Sequence, residues 1–230
     1  MKSAIRWIIV FQIVALTSSE MGFAGTWRDD FEDKTEKEWT IYNLDRQVEK
    51  WWVDNGEAIG QIFMPGFMSL WLTGGLEWQN YSLSCKAKLV REKNDPATVG
   101  LTLYDRGDED ARYLFYVNFT FGTASIIKST PNVWFIRNFP FVADIDVWYE
   151  LKATVNEDLL EFQIDDQVFL SRDLEPFKSG QAGLVVSNAQ AQFDDVEITG
   201  ENVKNGGPAR PKAVNLKGKL ATMWGRIKSQ

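Results

Sequence analysis

From Trp148 to Gly200 the chain alternates apolar and polar residues so regularly that few folds can accommodate it. Leu151, Ala153 and Val155 fall on one side of their segment and Glu150, Lys152 and Thr154 on the other, and Leu160, Phe162 and Ile164 repeat the pattern. A period of two belongs to strands with one buried face. The same reading extends backwards through segments 51–54, 58–63, 68–72, 81–90, 98–104, 112–120, 124–128 and 133–137, and forwards through 148–155, 159–164, 167–171, 181–187 and 192–199. Turn signals separate them: Asn55-Gly56, Gly74-Gly75, Asn156-Glu157-Asp158 and Asp165-Asp166. With no convincing helix between them, the expected fold class is all-β, a jelly-roll sandwich of two antiparallel sheets built as one domain over 25–200.

The two ends differ from this body. Lys2 and Arg6 precede an apolar stretch over 7–16, followed by Thr17-Ser18-Ser19-Glu20 and small residues at Gly22 and Ala24. That layout predicts a secretory signal over 1–24 and an exported protein, secreted or periplasmic. The apolar stretch is shorter than the ~20 residues that cross a bilayer, so no transmembrane anchor is expected. Residues 201–230 carry seven basic side chains against Glu201 alone, so 25–200 are more acidic than the net charge of −7 suggests. Such a body repels nucleic acid, which is not expected as a partner. Asn205-Gly206-Gly207-Pro208 and Arg210-Pro211 have linker composition, and Leu220, Met223, Trp224 and Ile227 follow at helical spacing. A basic linker and tail over 201–230 is expected, either unstructured or docking on an anionic surface.

Composition removes whole classes of chemistry. The chain has no histidine, which excludes a Ser-His-Asp triad, a Cys-His pair and a histidine-bound zinc. Cys85, the sole thiol, shares a strand face with Leu83, Ala87 and Leu89 and is expected in the core.

Trp148-Tyr149, Ile164-Asp165-Asp166, Gly180-Gln181-Ala182-Gly183-Leu184 and Phe193-Asp194-Asp195-Val196 together resemble the closing strands of the concanavalin A-like lectin/glucanase superfamily. At the opening, Asp29-Asp30-Phe31-Glu32-Asp33, Trp39 and Trp52-Val53-Asp54-Asn55-Gly56 are similar to laminin-G-like and 3-keto-disaccharide hydrolase domains. The resemblance spans nearly all of 26–200. It implies a lectin-like domain that binds a glycan or polysaccharide, a hydrolase of glycosides or 3-keto-glycosides, or a display domain without a small ligand. Glucanases of the superfamily carry Glu-x-Asp-x-x-Glu, and the nearest segment here, Asp144 to Glu150, departs from it in its first acid and its spacing.

Within that frame, strand 112–120 divides into Tyr113, Phe115, Val117 and Phe119 on one side and Arg112, Leu114, Tyr116, Asn118 and Thr120 on the other. The second side is the expected sugar-binding face on a concave sheet, with Tyr116 to stack on a ring and Arg112 and Asn118 to bond hydroxyls. Tyr104 extends it, and Trp134 and Arg137 border it. Alternation also puts Asp194 on the buried side of its strand with Val196 and Ile198, where a carboxylate must be compensated. The resemblance implies a structural calcium there, held by Asp194 or Asp195 together with Asp30 and Glu32, and no organic cofactor. The alternative is a bulge that turns Asp194 outward.

Overall fold

In the computed structural model, residues 24–42, 49–92, 96–107, 111–132 and 134–209 are described. Residues 1–23 of the expected signal and the tail beyond Ala209 lie outside the described residues. Fifteen strands are present among those described: β1 Gly25–Asp29, β2 Thr40–Tyr42, β3 Glu49–Asp54, β4 Glu57–Ile62, β5 Met68–Thr73, β6 Gln79–Glu92, β7 Thr98–Asp105, β8 Arg112–Asn118, β9 Thr123–Ser129, β10 Trp134–Pro140, β11 Tyr149–Asn156, β12 Leu159–Ile164, β13 Gln167–Arg172, β14 Gln181–Ser187 and β15 Ala189–Glu201. They form two antiparallel sheets. One has eight strands in the order β13-β12-β11-β6-β15-β4-β3, with β1 paired beside β15, and the other has seven in the order β10-β9-β8-β7-β14-β5-β2.

Sequence dictates the turns as well as the strands. Asn55 and Gly56 take φ of 52° and 77°, the left-handed pair that a two-residue hairpin between β3 and β4 requires. The predicted turns at Glu157-Asp158 and Asp165-Asp166 close β11–β12 and β12–β13 in the same way, each with its first residue at positive φ.

Between the sheets lies one core, to which alternate residues of both contribute. Tyr81, Leu83, Cys85, Ala87 and Leu89 of β6 face Val99, Leu101 and Leu103 of β7, and burial pushes the Cys85 thiol far above its usual range, as suits a packing residue. One end is aromatic. The Trp71 ring stacks 4.8 Å from Trp39, 5.2 Å from Trp51 and 6.1 Å from Phe31. The Trp51 indole lies directly on Gly60, where a Cβ would come within 2.5 Å of the ring.

The sandwich does not end at Gly200. Val203 is buried in the core, Thr26 N–H donates to Asn205 Oδ1 at 2.8 Å, Arg28 N–H to the Gly206 carbonyl at 3.0 Å, and Ala209 N–H to the Arg28 carbonyl at 3.2 Å. The glycines that read as linker serve a different purpose. Gly207 has φ of 90° and a Cβ there would meet the Arg28 carbonyl at 2.0 Å, so the Gly-Gly pair lets residues 205–209 lie against the free edge of β1. A chain ending at Gly200 is therefore expected to melt several degrees below one ending at Ala209. Loss of Val203 burial alone removes about 1.5–3 kcal/mol, and each kcal/mol shifts the melting temperature of a domain this size by about 2–4 °C. Differential scanning calorimetry of the two chains measures the gap, and equal melting temperatures would put the boundary back at Gly200.

Candidate functional site

The face expected to bind sugar is the outer face of the seven-stranded sheet. Arg112 on β8 and Tyr42 on β2 are four strands apart, about 19 Å in a flat sheet. Yet the Arg112 guanidinium lies 4.7 Å from the centre of the Tyr42 ring, so the sheet curls around this face and makes it concave. Alternation correctly places Arg112, Leu114 and Tyr116 here, with Tyr113, Phe115 and Val117 in the core.

The character of the face differs from the expectation. Leu70, Leu72, Leu114, Tyr116, Ile127 and Val185 form a second apolar cluster on it, and each is at most 9% exposed. Arg112 is buried, its Nε donating to Asp105 Oδ2 at 2.7 Å. Asn118 is buried too, its Oδ1 accepting from Phe121 N–H at 3.0 Å to close the β8–β9 turn. Tyr104 leaves the face altogether. A bulge where β7 meets β14 puts Tyr104 at φ 54° and swings its ring into the core, stacked 5.3 Å from Tyr81, with its hydroxyl accepting from Asn80 N–H at 2.6 Å. Trp134, 54% exposed on the edge strand β10, pairs with Ser129 and does border the concave face. Arg137 pairs with core-facing Ile126 and so points to the opposite side, over the Phe135 ring at 4.8 Å.

A polar, open groove lies instead on the outer face of the eight-stranded sheet. Strand register lines up Gln163 on β12, Lys152 on β11, Ser84 on β6, Glu197 on β15 and Arg28 on β1 as directly opposed residues in one row across five strands. Glu150 and Lys86 form the next row. Ser84 is the shortest side chain of its row, so the floor dips there. The resulting groove has a volume of about 330 Å³ and is continuous through Lys86, Glu150 and Gln163 with a second hollow of about 480 Å³ lined by Trp148, Tyr149, Asp165 and Asp166.

Ion pairs organise its charges. Lys86 Nζ donates to Asp195 Oδ2 at 2.8 Å, and that hydrogen bond together with the Asp195 charge raises the ammonium pKa. Arg28 Nε donates to Glu197 Oε2 at 2.6 Å. Gln163 Nε2 donates to the Asp165 carbonyl at 2.7 Å, and Asp165 Oδ1 accepts from Glu150 N–H at 2.8 Å. At the end of the groove, Lys88 Nζ sits 4.9 Å over the ring of partly exposed Trp148.

The acidic pair Asp194-Asp195 meets this groove. Between Asp194 and Glu197, β15 carries one residue more than its partner β6, and Asp195 takes φ 51°. This is the bulge alternative: both carboxylates leave the core, while Phe193, Val196 and Ile198 stay in it. Asp194 Oδ1 accepts from Asp195 N–H at 2.6 Å, and partial burial raises its pKa, with Asp195 and Asp30 adding to the rise. Glu32 packs against Gly56. Among the described residues no three acidic side chains converge as metal ligands, so the expected set of Asp30, Glu32, Asp194 and Asp195 is not gathered around one point. The segment Asp144 to Trp148 is a loop, not a strand, with Asp144 N–H donating to the Tyr149 hydroxyl and Asp146 N–H to the Leu89 carbonyl.

Sequence reasoning misses the groove residues, although their signal is present. Lys86, Glu150, Lys152 and Gln163 each occupy the polar phase of an alternating strand. What the sequence does not state is the pairing order β12-β11-β6-β15 that brings them side by side.

No protein-family model matches this chain, and no curated protein matches it. Solved structures do. The carbohydrate binding module CBM66 from Bacillus subtilis superposes with a TM-score of 0.60 at 20% identity, over 70% of this chain and 94% of that one. The Bacillus licheniformis beta-glucanase gives 0.59 at 10% identity, over 77% and 99%. A GlcNAcα1-4Gal releasing endo-β-galactosidase from Clostridium perfringens gives 0.56 at 12% identity, over 80% and 64%. At these identities the likeness concerns architecture alone. With its eight- and seven-stranded antiparallel sheets packed face to face, this chain has the concanavalin A-like lectin/glucanase fold.

Proposed function

We propose that the protein is an exported, lectin-like carbohydrate-binding module whose sugar site is the groove over β12, β11, β6 and β15. The observation that carries this reading is the row Gln163–Lys152–Ser84–Glu197, flanked by Glu150 and Lys86 and ending on Trp148. Sugar hydroxyls both donate and accept, and the groove offers donors (Lys86, Lys152, Gln163) interleaved with acceptors (Glu150, Glu197). The Trp148 indole supplies a flat apolar face of the kind on which a pyranose stacks. The row spans three strand spacings, about 14 Å, which suits several consecutive sugar units better than one.

Binding is favoured over hydrolysis by the state of the carboxylates. Glycosidases use two, one of them protonated as general acid. Here the Asp195 and Glu197 carboxylates are each engaged in an ion pair, with Lys86 and Arg28, rather than facing each other across the groove as a catalytic pair.

Each sugar contact is worth about 0.5–1.5 kcal/mol, so affinity depends on several acting together. Affinity electrophoresis through gels containing individual polysaccharides is expected to retard the exported protein on at least one. Trp148→Ala and Gln163→Ala should each weaken that retardation about 2- to 12-fold, the factor that one such contact represents. Retardation unchanged in both variants would remove the groove from consideration, and reducing-sugar release from the retained polysaccharide would establish hydrolysis instead.

A further inference from the structure

We infer that the sugar site continues past Trp148 across the outer face of the eight-stranded sheet to a second stacking platform, Trp52 on β3, and takes a single twisting glycan chain rather than a flat crystalline surface. The inference rests on the groove being the sugar site and deepens that reading.

Tryptophan in this fold is mostly a core residue. Trp27, Trp39, Trp51, Trp71 and Trp78 all belong to the buried cluster between the sheets, and Trp134 stands on the seven-stranded sheet. Trp52 differs from them. It follows the core residue Trp51 in β3, so alternation turns it to the outer face of the eight-stranded sheet, where it keeps part of its surface exposed. Among the described residues its ring makes no aromatic contact and its indole N–H no hydrogen bond, which leaves both its flat face and its donor for a ligand.

An exposed tryptophan alone is ordinary, but the register ties this one to the groove. Trp52 is directly opposed to Ile59 on β4, Ile59 to Gln192 on β15, and Gln192 to Lys88 on β6. Tyr149 opposes Ala87, so Trp148, one residue earlier, comes beside Lys88, whose Nζ lies 4.9 Å over the indole ring. Trp148 and Trp52 thus end one straight row across β11, β6, β15, β4 and β3. Four strand spacings separate them by about 19 Å. Between the two indoles the row offers the Lys88 ammonium as donor and the Gln192 amide as donor and acceptor, the groups that sugar hydroxyls need, over apolar Ile59. The row also lies next to the Glu150–Lys86 row of the groove, so the two form one continuous surface.

Sheet twist decides which form of glycan fits. Adjacent strands are rotated by about 20° about an axis that crosses them, which is the direction of this row, so the sheet normals at Trp148 and Trp52 differ by about 80°. A flat crystalline surface therefore meets one platform or the other. A separate chain that turns about its own axis can stack on both.

The test begins with a soluble polysaccharide that retards the native protein and uses oligosaccharides of increasing length cut from it, titrated by calorimetry. Affinity of the native protein should rise with length until the chain reaches from Trp148 to Trp52. Trp52→Ala should match the native protein on the short members and bind the long ones about 2- to 12-fold more weakly, the factor for one contact, whereas Trp52→Phe should recover most of that loss. Trp148→Ala should weaken short and long members alike. If Trp52→Ala equals the native protein on the long members, or loses affinity equally for short ones, the extension is overturned while the effect of Trp148→Ala keeps the groove. If neither variant changes binding, or if no polysaccharide retards the native protein, the groove itself falls and the extension with it. In a second arm, microcrystalline cellulose and crystalline chitin should leave the protein in the supernatant; depletion by either overturns the choice of a single twisting chain.

Discussion

Trp71→Ala is expected to destabilise the protein by about 3–5 kcal/mol, more than any other single substitution in the aromatic end of the core. The indole is 1% exposed and forms the centre of a stack, between Trp39 at 4.8 Å and Trp51 at 5.2 Å with Phe31 at 6.1 Å. Truncation leaves a void that its neighbours cannot fill, because each indole beside it is fixed by a contact of its own. Trp51 Nε1–H donates to Ser69 Oγ at 2.7 Å and Trp39 Nε1–H to Asp29 Oδ2 at 2.8 Å. Aromatic contacts add about 0.5–1.5 kcal/mol per pair beyond area burial, so Trp71→Leu should recover only part of the loss. Urea denaturation measures both variants; a loss below about 1 kcal/mol for Trp71→Ala would show that the stack can collapse around the gap.

The second large effect depends on pH and involves Asp29. This carboxyl is 1% exposed, and burial raises its pKa from 3.8 to about 6 against the opposing hydrogen bonds from Trp39 and Phe31. A raised acid pKa in the folded state means that folding favours the protonated form. The stability contributed by neutral Asp29 is fully present below about pH 4 and is lost as pH rises through about 6, to a total of about 3 kcal/mol. Asp29→Asn does not titrate. It keeps one acceptor oxygen for the two donors, Phe31 N–H and Trp39 Nε1–H, and so is expected to be less stable than the native chain at about pH 4. That deficit should shrink as the pH is raised from about 4 to about 7, where the native carboxyl ionises and the amide does not. A difference in stability between the native chain and the Asp29→Asn variant that is flat across this range would mean that the carboxyl is already ionised at its acid end.

Strand positions and the sandwich are legible in the sequence because alternation is a local property. Each apolar position of 151–155 and 160–164 lies in the core as its phase requires. The turns are legible for the same reason, since Asn55-Gly56 and Asp165-Asp166 contain their own conformational preference. Three-residue β2 is not, because it is too short to display a period. Bulges also defeat the phase: one extra residue moves Tyr104 from the outer face to the core and moves Asp194 the other way. Gly206-Gly207 carries the same composition whether it serves as a free linker or as a close approach to β1, and only the contact at Arg28 tells them apart.

The candidate site is less legible than the fold, for a reason visible in two residues. Tyr116 and Lys86 both occupy the outward phase of an alternating strand. Tyr116 is buried among Leu114, Ile127 and Val185, whereas Lys86 stands in an open groove beside Glu150. Sequence phase states which sheet face a residue takes. The pairing order decides what else stands on that face.

The central claim, that sugar binds over β12, β11, β6 and β15, is most directly tested by two indoles. Trp148 and Trp134 are both exposed, one at the end of the groove and the other at the margin of the concave sheet. Titrating the ¹⁵N-labelled protein with an oligosaccharide cut from a polysaccharide that retains it, and following the indole N–H signals by nuclear magnetic resonance, distinguishes the two faces. The expected result is a saturable shift of the Trp148 signal with Trp134 unmoved. A shift confined to Trp134 would place the sugar on the concave sheet and contradict the assignment, and so would saturation that moves neither signal.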